Sequence, residues 1–141
     1  MEYLKDGKNY VVRLERGEDL NASLEDFMIK EDLSSAFFKG LGALEDVELG
    51  YYDLPQKTYL KRLFPEEAEL LVAMGNLTFK EGQPYAHIHA VLSGKDFLAY
   101  GGHVFRAKVS VTAELFVECI DHQIERKMND QVGLQLMNCR I

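Results

Sequence analysis

The stretch Pro84–His103 reads PYAHIHAVLSGKDFLAYGGH and holds three of the four histidines of this 141-residue chain. Its first part, Tyr85–Leu92, consists of β-forming and small residues, a pattern that predicts a strand. Residues two apart on a strand share a face, so His87 and His89 should point to the same side of a sheet. That side would also carry Tyr85 and Val91, and the opposite side Ala86, Ile88, Ala90 and Leu92.

The third histidine of this stretch, His103, follows the pair Gly101-Gly102 and a hairpin-sized excursion over residues 93–100. Such a glycine pair either adopts positive φ or lets the backbone pass close to another segment, and both suit a chain that returns to the first strand. The Cα atoms of His87 and His89 should be about 7 Å apart, a gap that one metal ion can bridge with nitrogens at about 2.0–2.1 Å. We therefore predict a metal site formed by His87, His89 and His103.

Zinc is the metal that this ligand set favours, because three neutral imidazoles and an open fourth position are typical of zinc sites; other divalent ions accept the same ligands. The alternative is that these histidines are structural, hydrogen-bonded residues, and the residue pattern leaves that alternative open. The fourth histidine, His122, stands apart from the others and is predicted to be ordinary surface.

Length and composition indicate one domain, residues 1–141, with 47% apolar residues and enough chain for a single core. No apolar run approaches the roughly 18 residues of a membrane span. The N-terminus lacks the apolar core and cleavage site of a signal peptide. Cys119 and Cys139 are far apart and form no metal-binding pair, which favours two reduced thiols. We expect a cytoplasmic protein without membrane association.

The formal net charge of −7 argues against broad, nonspecific binding of nucleic acid, because contacts to phosphates need clustered Lys and Arg. The densest basic stretches are Lys57–Arg62 and Arg126-Lys127, and both are interpreted as solvated strand faces.

The remaining pattern predicts an α+β fold, a mostly antiparallel sheet with one main helix packed on it. The helix should follow Asp19 or Asn21 as its cap and place four apolar residues on one stripe.

Val109–Cys119 alternates most clearly, and Glu114 on its polar face is a candidate catalytic base or partner of a metal ligand. Further strands are predicted over Tyr10–Glu15, Ala36–Gly42, Val47–Tyr52, Lys57–Phe64, Glu69–Thr78 and Gly133–Leu136, with a turn at Glu45-Asp46 between the second and third.

Several motifs together resemble one known family. They are KGLGALEDVELGYYD, then KTY, ELLVAMGN, HIHAVLSGKDFLAYGGHV and VTAELFV, in that order along nearly the whole chain. The sequence resembles the plants-and-prokaryotes-conserved (PPC) domain, stand-alone prokaryotic type. The order HxH, glycine-containing turn, GGH and TAE is the most specific part.

The resemblance implies one main helix on an antiparallel sheet, assembly as a homotrimer, and association with DNA binding and gene regulation. It also implies that His87, His89 and His103 hold a metal, usually zinc. Two departures matter. Plant members carry an AT-hook of the Arg-Gly-Arg-Pro type, which this sequence does not contain, and a Gly-Arg-Phe motif where this chain has Glu66-Glu67-Ala68.

Two classes of function follow. The first is a metal-binding regulatory protein of the PPC type, not an enzyme, whose DNA contact is weak or indirect. The second is a metalloenzyme or a small-ligand-binding protein that uses the three-histidine site, since a metal with an open position activates water or holds a carboxylate. Cupins also use HxH, but they usually place a Glu shortly after it, where this chain has Ser93-Gly94-Lys95.

Overall fold

A computed structural model describes residues 1–140 of the chain. Within this range the chain forms nine strands and one helix, so the architecture is mostly β. The elements in chain order are β1 Glu2–Asp6, β2 Asn9–Glu15, α1 Leu20–Lys30, β3 Ser35–Asp53, β4 Thr58–Phe64, β5 Ala68–Lys80, β6 Gln83–Ser93, β7 Ala99–Ile120, β8 Glu125–Asn129 and β9 Leu134–Met137.

All nine strands belong to one sheet with the order β1-β2-β7-β3-β5-β8-β9; β4 pairs with β3, and β6 pairs with both β5 and β7. The pairings among β3, β5, β6 and β7 form a closed circuit. Within residues 1–140 every pairing between strands is antiparallel except that of β5 with β8, so the sheet is mixed. This circuit brings β6 and the start of β7 side by side.

Helix α1 begins after Asp19, whose side chain accepts a hydrogen bond from the Ala22 backbone N–H at 2.9 Å. The other expected cap, Asn21, instead donates to the Val104 carbonyl at 3.5 Å. The helix packs against β5, β6 and β7. Its apolar stripe is completely buried, as predicted: Leu20, Leu24, Phe27 and Met28. In the described part of the chain, no helix is both long and apolar enough to cross a membrane.

Two of the expected strands are in fact one long strand, and a third expected strand is longer than predicted. β3 passes without a turn through Glu45-Asp46, because Asp46 adopts a left-handed conformation (φ 51°) and a shift in register between Glu45 and Glu48 absorbs the irregularity. β7 likewise joins the glycine pair to the predicted Val109–Cys119 strand. Its alternation is broken there, since Val111 is 65% exposed although Val109 and Ala113 are buried.

Two other elements were not predicted. β1 pairs with β2 around a tight turn in which Gly7 has a φ of 60°. β8 contains Arg126-Lys127, which we interpreted only as a solvated strand face, and it lies parallel to the end of β5 with Phe79 opposite Glu125 and Lys80 opposite Arg126. The predicted last strand is present as β9 and forms a hairpin with β8.

Candidate metal centre

The strand β6 presents its residues as the sequence pattern predicts. Ala86, Ile88, Ala90 and Leu92 are buried, and the other face is partly or fully exposed. His87 is half-buried and His89 is exposed on that face. The two side chains therefore lie on the outer side of the sheet, away from the core.

His103 reaches the same place from β7, where it pairs directly with His89. The glycine pair before it makes this possible by close approach rather than by positive φ. A Cβ atom on Gly101 would collide with the Ala90 carbonyl oxygen of β6, and one on Gly102 would lie 2.8 Å from the Gly50 carbonyl oxygen of β3. Glycine at both positions lets β7 pack between its two neighbours.

The three imidazoles form a compact cluster. Their ring centroids are 5.1 Å apart for His87–His89 and His87–His103, and 5.5 Å apart for His89–His103. One nitrogen from each ring lies within 4.8 Å of the other two. Nitrogens bound to one tetrahedral zinc are about 3.3 Å apart, so small side-chain rotations bring these three into range.

Two rings of the cluster are held in the neutral form. Burial, followed by the charge of Arg126 and the neighbouring His89, lowers the pKa of His87 to about 4. Burial and the nearby His87 and His89 lower the pKa of His103 to about 4 as well. A histidine must be neutral to ligate a metal, and at neutral pH these two already are.

His103 has an unsatisfied polar atom. The residue is only 7% exposed, and its Nδ1 lies buried without a hydrogen-bond partner among the atoms of residues 1–140. Aromatic rings surround it, with centroids at 5.2 Å for Tyr59 and 4.7 Å for Phe105. Buried polar groups are nearly always paired, so this nitrogen is available to bind a metal ion or a water molecule.

Arg126 is a residue of this site that sequence reasoning missed. We expected it on a solvated strand face, but it is 8% exposed and its Nη2 donates to His87 Nδ1 at 3.2 Å. No local signal distinguishes Arg126 from the exposed Lys127, because its position depends on the long-range pairing of β8 with β5.

The other candidate residues lie elsewhere. Glu114 is exposed further along β7, opposite Arg13 and Leu41, and the fold does not bring it to the histidines. His122 is exposed in the turn after β7. Cys119 and Cys139 are both free thiols, the first partly buried and the second exposed.

Residues 1–121 match the family model of the Plants and Prokaryotes Conserved (PCC) domain, the domain named PPC above. The chain belongs to the PPC domain family. This confirms the resemblance drawn from the sequence motifs. Comparison with curated protein sequences gives no match.

Solved structures similar to this PPC domain cover almost its whole length. A metal-containing protein from Archaeoglobus fulgidus is 34% identical with a TM-score of 0.86, covering 97% of this chain and 96% of its own. A PPC protein from Pyrococcus horikoshii is 30% identical with a TM-score of 0.86, covering 94% and 92%. A candidate DNA-binding protein from Bacteroides thetaiotaomicron is 26% identical with a TM-score of 0.92, covering 97% and 96%.

Proposed function

We propose that this PPC protein binds one divalent metal ion, zinc by preference, through His87, His89 and His103, and acts as a gene-regulatory protein. The observation that carries the metal site is the compact cluster itself, three histidines from two paired strands with their ligand atoms within 4.8 Å. The similarity to a metal-containing protein from Archaeoglobus fulgidus supports it.

The residues fit such an ion. His103 Nδ1 is buried without a partner, and a metal would satisfy it or fix the ring through the other nitrogen. Three imidazole nitrogens suit zinc better than magnesium or calcium, which prefer oxygen ligands. A bound zinc supplies Lewis acidity and a stable link between β6 and β7.

The decisive experiment is metal analysis of protein purified without a histidine tag, in the wild type and in four single variants. We expect stoichiometric metal in the wild type and in His122→Ala, and loss of most of the affinity in His87→Ala, His89→Ala and His103→Ala. A chelator should lower the thermal stability of the wild type, since binding to the native state is linked to folding.

The matched control is His122→Ala, because it removes an exposed imidazole outside the cluster. If the three cluster variants keep stoichiometric metal, or if the wild type neither holds nor takes up any, the metal site is wrong.

Regulation through DNA is proposed from the family and from the candidate DNA-binding protein of Bacteroides thetaiotaomicron. The net charge of −7 opposes approach to phosphates, so we propose that the contact is weak alone or shared with a partner. Fluorescence anisotropy with short duplexes should show weak binding at about 0.15 M salt that strengthens as salt is lowered. Tight, salt-insensitive binding would contradict this proposal.

We also propose a homotrimer. The outer side of the sheet carries apolar residues in a neighbouring group, which we call the outer apolar face: Val11, Phe37, Leu41, Met74 and Phe116, between 37% and 57% exposed. Val11 lies opposite Phe116, Phe116 opposite Lys39, Lys39 opposite Met74, and Met74 opposite His89. The exposed Lys39 lies between Phe116 and Met74, and a group of exposed apolar residues of this size is typical of contacts between subunits.

A small-ligand-binding or enzymatic function is the second candidate. One observation favours it: a cavity of about 200 Å³ adjoins His87 and His103. Glu114 is not among its lining residues, so the base suggested by the sequence would not act there.

A further inference from the structure

The cavity beside the histidines is lined by aromatic, basic and apolar side chains. The aromatic ones are Tyr59, Tyr85 and Phe105, the basic ones Lys80 and Arg126, and the apolar ones Leu134 and Leu136 of β9. No Asp or Glu is among its lining residues within the described chain. Its volume of about 200 Å³ suits a molecule of a few heavy atoms.

Arg126 is a buried cation whose acceptors are all neutral. Its Nε donates to Thr78 Oγ1 at 3.0 Å, and its Nη1 to the Gln135 carbonyl at 3.1 Å. Its Nη2 donates to Asn76 Oδ1 at 2.7 Å and to His87 Nδ1 at 3.2 Å. Four of the five guanidinium N–H groups are thus used, and one on Nη1 is left for another acceptor.

The charge of Arg126 is not neutralised. Among residues 1–140 no carboxylate lies within ion-pair distance of it, and burial lowers its pKa while only the Tyr85 and Tyr59 hydroxyls oppose this. Both Arg126 and Lys80 lie over the Tyr85 ring, at 5.1 Å and 5.4 Å from its centroid. Glu81 accepts a hydrogen bond from the lining residue Gln135 at 2.6 Å, but no carboxylate pairs with Arg126 itself. A buried charge without a direct counter-charge is costly, and the two cations that line this cavity favour an anion.

We infer that this cavity binds a small organic carboxylate, with its carboxylate on Arg126 and its apolar part against the Tyr59 and Phe105 rings. The one free N–H on Nη1 can hold one oxygen of a carboxylate, and the aromatic lining residues favour a short carbon chain over an inorganic ion. The carboxylate is the small-molecule effector of the proposed regulatory protein, and in that role the inference rests on the proposed function.

The bond between Arg126 and His87 couples this anion to the metal. Arginine can only donate, so His87 Nδ1 accepts and the proton of that ring is on Nε2. If His87 binds a metal through Nδ1, the lone pair of that nitrogen is no longer available to Arg126. If His87 binds through Nε2, the ring proton moves to Nδ1, and Nδ1 can no longer accept a hydrogen bond. In both cases Arg126 regains a second N–H for the carboxylate. Metal should therefore raise the affinity for carboxylate, and carboxylate the affinity for metal, by the same factor.

The test is calorimetric titration of the wild type with propanoate, butanoate, propanamide and inorganic phosphate, on chelator-treated and on zinc-loaded protein. We expect binding of the two carboxylates that is at least tenfold tighter than that of propanamide or phosphate. We expect zinc to raise the affinity for the two carboxylates at least fivefold. No preference for carboxylate over propanamide in either form would overturn the site, and equal affinity with and without zinc would overturn the coupling.

Variants assign the binding to Arg126. Arg126→Met should weaken carboxylate at least tenfold, and the matched control Arg16→Met, which removes an exposed charge, should bind as the wild type does. Arg126→Lys keeps the positive charge but removes the planar guanidinium, and Lys80→Met removes the second cation of the cavity. Each should weaken carboxylate binding several-fold. These two variants test the site if Arg126→Met does not fold. Unchanged affinity in the folded Arg126 variants would overturn the assignment. If zinc binds but neither carboxylate binds to the metal-free or the zinc-loaded protein, this inference is wrong and the proposed metal site still stands.

Discussion

The surroundings of His87 and His103 keep both imidazoles neutral and so able to bind a metal. Both rings are partly removed from water beside other cationic or titratable groups, and both have a pKa lowered to about 4. A proton therefore competes with a metal at these two positions only well below the ordinary histidine value. The unperturbed pKa of histidine is about 6.5.

The same shifts predict a pH dependence of the metal-free protein. The pKa of these histidines is about 6.5 in the unfolded chain and about 4 in the folded chain, so between these pH values the unfolded chain binds more protons. The free energy of unfolding is therefore highest above pH 6.5 and falls as the pH drops toward 4. Urea unfolding with chelator present should show this loss already between pH 6.5 and 4.5. His103→Gln should reduce the loss, and His122→Gln should leave it unchanged. A flat profile over this interval would contradict the prediction.

Gly101 gives a second prediction at the scale of one residue. In Gly101→Ala the new methyl group would meet the Ala90 carbonyl oxygen, so β6 and β7 must move apart. We expect a loss of about 1–3 kcal/mol in the free energy of unfolding, together with weaker metal binding.

The matched control is Gly94→Ala in the turn after β6. A Cβ atom there would lie 3.4 Å from Asp96 Oδ1, an ordinary contact. Its effect on denaturant unfolding should stay within about 0.5 kcal/mol. Equal stability of the two variants would mean that the close approach of β7 is not required.

At the scale of elements, the sequence predicted what depends on local periodicity. The apolar stripe of α1 and the alternation of β6 each specify one buried face, and both are found. The long strand β3 could not be predicted, because Asp46 is a non-glycine residue in a left-handed conformation and its neighbours resemble a turn. The place of Arg126 could not be predicted either, since only the fold brings β8 to β5.

The start of α1 can be tested directly. Asp19→Ala removes the acceptor for the Ala22 N–H and should lower the free energy of unfolding by about 0.5–2 kcal/mol. Asp26→Ala removes an equal charge from the exposed side of the same helix and should change it by less than about 0.5 kcal/mol. Equilibrium unfolding in urea measures both, and a larger loss in Asp26→Ala would contradict the capping role of Asp19.

At the scale of the whole molecule, the outer apolar face and the histidine cluster lie on the same side of the sheet, with Met74 directly opposite His89. We expect light scattering to give the mass of a trimer at micromolar concentration. Phe116→Glu, which places a charge on that face, should dissociate it. Ile29→Glu changes an exposed residue on the helix and should leave the mass unchanged. A monomeric wild type would contradict the trimer.

The attachment of the β8–β9 hairpin has a kinetic consequence. It is paired to β5 through only two residue pairs, whereas β7 is paired along both edges for much of its length. Amide hydrogens of β9 should therefore exchange with solvent through local opening, much faster than those in the middle of β7, which need global unfolding. Opening of this hairpin would also break the hydrogen bonds that Arg126 donates to Thr78 and Asn76 of β5.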